Sequence, residues 1–195
     1  MGLVLTEAPS VEPVTADDVR AQCRIDSSDE SDLIEGYITS ARAQVENDCR
    51  RALITQTWER TLDRFPHSCE PIYLARNPVQ QVESITYVDP QGATQTLSTD
   101  VYQVDTKGAV ARVGLKPGKS WPSTKCGLWN SVTITYVAGY GDTADDVPRG
   151  LRTAIAILAG HWFENREPII TGTIVSNIPI HFDRLLWPFS IKEAA

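Results

Sequence analysis

The stretch VTITYVAGYGDTADDVPRGLRTAIAILAGHWFENRE, residues 132–167, changes its hydrophobic period in mid-course. Val132, Ile134, Tyr136 and Ala138 alternate as the residues of a half-buried strand do. After the turn Gly139-Tyr140-Gly141-Asp142, the residues Val147, Leu151, Ala154, Ile155, Leu158 and Trp162 recur at helical spacing. Asp146 reads as a helix cap and Pro148 stands near the first turn. Glu167-Pro168 ends the pattern, because a residue before proline is pushed out of the α region. A strand that delivers into a long helix near 146–165 is therefore the pivot of the fold.

Upstream of this pivot the two-residue period persists. Ile54, Trp58 and Leu62 share one strand face, and Val82 to Val88 and Val101 to Asp105 suggest further strands. Asn77-Pro78, Asp89-Pro90-Gln91-Gly92, Lys107-Gly108 and Lys116-Pro117-Gly118-Lys119 punctuate them with turn chemistry. The region 54–138 is thus expected to be antiparallel β. Before it the period is helical again. Thr15 caps a helix over 15–24, with Asp17 and Asp18 in its first turn. Ser27 and Glu30 form a capping box for a second helix over 28–50, with Leu33, Ile34, Tyr37, Ile38, Ala41 and Val45 as its buried stripe. The fold class is α+β: a helical core with a β-rich insertion. Residues 1–13 read as an extended arm, 14–177 as the main domain, and 178–195 as a flexible segment that follows the loop containing Gly172, Thr173 and Ser176.

With 195 residues, 42% of them hydrophobic, the chain can bury one sizeable core without an external staple. Cys23, Cys49, Cys69 and Cys126 show no CxxC pair, which removes zinc ribbons and dithiol redox motifs and fits a reducing cytoplasm. Leu3 to Leu5 is apolar but lacks a basic flank and is followed by Glu7 and Pro9, so it reads as neither a signal peptide nor a span. Twenty-five acidic residues against 18 basic give a net charge of −7, and no Lys/Arg block is present to grip phosphates.

The candidates for chemistry are few. His161 and Glu164 share a helix face, and with Glu167 they suggest a metal-dependent hydrolase. A helix-borne zinc site ordinarily places two histidines four residues apart, and the remaining histidines are His67 and His181. The alternative is a structural helix end whose His161 and Arg166 favour the negative end of the dipole. No GxSxG elbow is present, and Gly139-Tyr140-Gly141 lacks the GK[ST] ending of a phosphate loop. Asp142, Asp145 and Asp146 lack EF-hand spacing. These readings assign no catalytic residue, metal or cofactor. Contact surface is what the sequence has in excess: of five tryptophans, Trp121, Trp129 and Trp187 fall in or beside loops, whereas Trp58 and Trp162 read as core.

The order of VTADDVRAQCRID, DLIEGYITSARAQVENDCRRALITQTW, SITYVD, Ser120-Trp121-Pro122, VTITYVAGYGD, VPRGLRTAIAILAGHWFENRE and RLLWPF resembles the head-to-tail connector, or adaptor, family of tailed bacteriophages from about Val14 to Phe189. Ser190 departs from the pattern, since a basic residue commonly follows the aromatic there. The resemblance implies a non-enzymatic ring, commonly of about twelve subunits, at the virion neck. Such a ring is assembled in the host bacterial cytoplasm between the portal protein and a stopper or tail-completion protein, and DNA passes through it without specific binding. It also implies interface residues: Glu164, Arg166 and Glu167 at the end of the long helix, and Leu185, Leu186, Trp187 and Phe189 in the C-terminal docking segment.

Overall fold

The computed structural model describes residues 2–25, 30–67, 70–166 and 180–191. Strand β1 (Gly2–Glu7) and the strands from β2 (Gln56–Leu62) to β8 (Val132–Ala138) belong to one compact unit, Met1–Ser10 with Thr55–Tyr140. Val11–Ile54 and Gly141–Ala195 make a second, helical unit. The architecture is the expected α+β.

Within the first unit lie β3 (Ile72–Tyr73), β4 (Val79–Val88), β5 (Thr94–Thr96), β6 (Tyr102–Asp105) and β7 (Arg112–Leu115). A five-stranded antiparallel sheet has the order β1-β2-β8-β4-β5, and a three-stranded one has β3-β7-β6. The alternation that announced β8 is satisfied at the centre of the larger sheet. Ile134 lies opposite Arg60 and Ile85, Tyr136 lies opposite Trp58 and Val82, and both are fully buried. The Tyr136 hydroxyl donates to the Ala75 carbonyl at 3.0 Å, which offsets the cost of removing it from water. Burial also pushes its pKa above the ordinary tyrosine value. Asn77, buried beside the cis Asn77–Pro78 bond, donates to the Leu74 carbonyl at 2.8 Å and accepts from the Ala111 N–H at 2.7 Å. Trp121, expected in a loop, is stacked on Phe65 with centroids 4.8 Å apart and packs within this unit.

The expected arm, residues 1–13, is divided. Residues 2–7 pair with β2 as an edge strand, Gly2 opposite Thr61 and Leu5 opposite Trp58. Glu12 instead lies in the helical unit, where its carboxylate accepts from Arg42 at 2.8 Å and from the Thr39 hydroxyl at 3.0 Å. The sequence could not show this pairing, because backbone hydrogen bonding to β2 carries no side-chain period in so short a segment.

The helical unit contains α1 (Ala16–Cys23), α2 (Ser31–Cys49), α3 (Arg149–Glu164) and α4 (Ile180–Leu186), followed by a 3-10 turn at Trp187–Phe189. Helix α1 opens as expected: Thr15 accepts from the Asp18 N–H at 3.1 Å, and Asp18 accepts from the Thr15 N–H at 2.9 Å. The bonds from the Thr15 N–H and the Thr15 hydroxyl hold the Asp18 carboxyl below its usual pKa. Val19, Ile34, Ile38, Ala41, Val45, Leu151, Ala154, Ile155 and Leu158 form the core of this unit. Two caps differ from expectation. Glu30 makes no side-chain bond to the start of α2, and Ser27 lies outside the described residues. Asp146 closes a capping box with Thr143 in a separate 3-10 turn, Ala144–Asp146, and α3 starts after Pro148. Proline has no N–H to give a continuous helix across that point. Gly141 is required there, because a Cβ would overlap the Asp146 side chain.

Candidate functional site

The last turn of α3 carries the residues that looked most like chemistry. It is brought close to α1 by Gly160, whose missing side chain leaves room for the Cys23 sulfur. His161 and Glu164 consequently line a shallow cleft of about 300 Å³ with Gln22, Cys23, Arg24 and Ile157. A thiol, an imidazole and a carboxylate in one cleft is a combination the sequence did not foretell, since Cys23 and His161 lie far apart in the chain.

The electrostatics do not support nucleophilic work. Burial, reinforced by the charge of Glu164, pushes the Cys23 thiol above its ordinary pKa, the opposite of the thiolate that covalent catalysis needs. The Asn165 side-chain amide lies 3.3 Å from His161 Nδ1 and donates to the His161 carbonyl at 2.9 Å, capping the helix end. Among the described residues no group of three His, Cys, Asp or Glu side chains is placed to hold a metal ion. Glu167 lies outside the described residues.

What the segment does instead is fasten helices. Trp162 packs against Tyr37 of α2, ring centroids 6.3 Å apart. Arg166 lies over the Phe163 ring at 4.5 Å and forks onto both carboxylate oxygens of Glu30, at 2.7 and 2.5 Å. The bidentate geometry gives direction as well as attraction. It holds the Glu30 carboxyl below its usual pKa and raises the Arg166 guanidinium further. Of the expected interface residues here, Arg166 is engaged within its own unit and Glu164 faces solvent. Glu30 was missed as a functional partner because its role as a capping residue was locally plausible.

The C-terminal residues are similarly divided. Helix α4 packs on α3 and α2, and Phe182 and Leu186 are buried. The Ile191 N–H donates to the Cys49 carbonyl at 3.1 Å, and Arg51 Nε donates to the Phe189 carbonyl. Leu185 and Phe189 are half-buried, and Phe189 lies against Gly150 of α3. Trp187 alone of the four remains largely in water, at 70% exposure.

Comparison with known proteins gives these contacts a context. Residues 14–100 match the family model of the phage gp6-like head-tail connector protein. A comparison with curated proteins returned no match. Among solved structures, a chain from the neck of the empty GTA particle, computed with C6 symmetry, aligns at a TM-score of 0.82 and 21% identity, covering 100% of this chain and 98% of that one. A chain from the virion of the native gene transfer agent particle aligns at 0.81 and 20% identity over the same shares. One from the neck of the native GTA particle, computed with C12 symmetry, aligns at 0.75 and 19% identity, also over 100% and 98%. The chain thus matches the phage gp6-like head-tail connector family over residues 14–100, and from end to end it has the fold of chains in gene transfer agent necks.

Proposed function

We propose that this protein is a structural subunit of the neck of a tailed-phage-like particle, where copies form a ring that joins the head to the tail and lets DNA pass. The observation that carries this reading is the likeness to neck chains over the whole length of both partners, with the connector family match in the N-terminal half. The role is one of assembly and not of catalysis. The portal protein is on one side of the ring and a stopper or tail-completion protein is on the other. The site of residence is the virion neck, reached after assembly in the bacterial cytoplasm. A ring of about twelve copies fits the symmetry of one neck structure of the same fold.

The surface charge supports free passage of DNA. A net charge of −7 works against retention of a polyanion, whereas a wall that gripped phosphates would retard it. For docking to the portal or a neighbour, Trp187 is the exposed anchor, with Leu185, Leu186 and Phe189 forming the packed base that orients it. Glu164 offers a solvent-facing carboxylate at the end of α3.

The test is an add-back assay. Particles produced without this chain should accumulate as DNA-filled heads and unattached tails, and purified protein should restore joined, infectious or transducing particles. Normal joining in its absence would overturn the proposal.

A further inference from the structure

Strand β1 is one edge of the five-stranded sheet, and its outer side has no hydrogen-bond partner among the described residues. Its side chains are apolar on both faces. Leu3 and Leu5 stand beside Arg60 and Trp58 on one face and Val4 beside Glu59 on the other, and the three are 37%, 40% and 54% exposed. No charged side chain interrupts the strand from Gly2 to Thr6. Such an edge is a template for a further strand, and proteins ordinarily blunt it with charges, bulges or shortness.

The opposite edge of the same sheet shows those devices. Strand β5 has three residues, Thr94, Gln95 and Thr96, all polar and exposed. The part of β4 that β5 does not cover has register shifts at Val79/Gln81 and Val82/Ser84 and exposes Gln80, Gln81 and Glu83. On β1 the register shifts only at its end, between Leu5 and Glu7.

Exposure on both faces decides the kind of occupant. A helix or loop laid on one face leaves the other in water, whereas a strand added along the edge covers both. That strand must itself be apolar on both faces. Among the described edge strands, β3 has two residues, β5 is polar and β6 carries Gln103 and Asp105, so the strand that matches β1 is β1 itself.

We infer that β1 of one copy pairs antiparallel with β1 of a second copy about a two-fold axis at Val4. This register sets Val4 opposite Val4 of the second copy and Leu3 opposite its Leu5. Four leucines then meet on one face and two valines on the other. The two Glu7 carboxylates go to opposite ends of the ladder, about 20 Å apart at roughly 3.3 Å per residue. Parallel pairing would set them side by side, where like charges repel. A two-fold contact uses the same patch on both copies and closes at the dimer. It is therefore separate from the contacts that close a neck ring, and it describes the chain before assembly, when this edge would otherwise lie in water.

Sedimentation equilibrium on the full chain tests the pairing and should show a dimer. Val4→Lys and Val4→Glu each set like charges opposite one another at the axis and should weaken association about tenfold or more. Mixed in equal amounts, the two set lysine against glutamate and should dimerise again. Val4 is exposed, so thermal melts should change little. Cross-linking gives a second readout that leaves the strand apolar. Val4→Cys, in a chain whose exposed Cys126 is replaced by Cys126→Ser, should form a covalent dimer on mild oxidation. Leu3→Cys in the same chain should not, because its counterpart lies two positions along the ladder and beyond disulfide reach. An unaltered chain that stays monomeric or associates only into larger rings would overturn the pairing. So would a dimer indifferent to Val4→Lys, a mixture no better associated than its components, or a Val4→Cys chain that does not cross-link.

Discussion

Arg42 and Glu46, one turn apart on α2, form an ion pair of 2.9 Å with side-chain exposures of 12% and 8%. Burial alone would lower the Arg42 pKa, but its bond to Glu12 and the charges of Glu46 and Glu12 raise it overall. Glu46 also accepts from the Leu53 N–H at 2.9 Å, so one carboxylate serves both a buried cation and a buried backbone donor. Glu46→Ala leaves both without it and should cost about 3 kcal/mol or more. Glu46→Gln, which keeps an acceptor for Leu53, should cost less. Urea unfolding of the two variants checks the order, and equal losses would show that the backbone bond contributes little.

Gly160→Ala places a methyl group where the Cys23 sulfur sits. Overpacking of this kind costs about 1–3 kcal/mol, more than the gain in helix propensity from glycine to alanine. The double variant with Cys23→Ala should recover most of the loss. Thermal melts of the single and double variants measure this, and additive losses would count against direct contact.

The Glu30–Arg166 fork makes stability depend on acid in a definite direction. The folded-state pKa of Glu30 is lowered, chiefly by its hydrogen bond from Arg166. Its contribution is therefore fully present above the ordinary glutamate pKa and is lost as pH falls through the lowered folded value. In Glu30→Gln, the fall in melting temperature on acidification should be shallower over that window. Arg166→Glu should weaken the fold, and combining it with Glu30→Arg should restore it.

His161→Ala and Glu164→Ala should each change stability by about 1 kcal/mol or less, because both lie at a partly exposed helix end. Neither should abolish a hydrolytic activity. Purified protein that cleaves an ester or phosphoester substrate, and stops doing so in these variants with assembly intact, would contradict the structural role.

The change of period at residues 132–167 made β8 and α3 legible, and the Thr15–Asp18 pattern made the start of α1 legible, because each is a short-range property of the chain. What escaped was set by distant partners. Trp121 does lie in a loop, as expected, but its stack on Phe65 was not legible because Phe65 is far away in sequence. Leu186 read as an outward anchor alongside Trp187, yet burial separates the two neighbours, and only packing against α2 and α3 decides which of them faces inward. In the same way the HWFENRE string showed a plausible ligand pair in His161 and Glu164. The partner that gives Arg166 its use, Glu30, lies at the opposite end of the domain sequence.

Ile54 and Gly141 bridge each other in the parallel sense, so the chain leaves the helical unit and returns to it at one spot. A span inserted at such a seam can be lengthened, shortened or traded between genomes without altering the spacing of α2 and α3. Strand β1 qualifies that freedom, because it pairs with β2 from the other side of α1 and α2 in the gene. A recombination that imports a new β unit must therefore carry the codons of β1 as well as those of β2 to β8. Those two stretches should be inherited together, as one coupled module, while the helical codons between them follow a separate history.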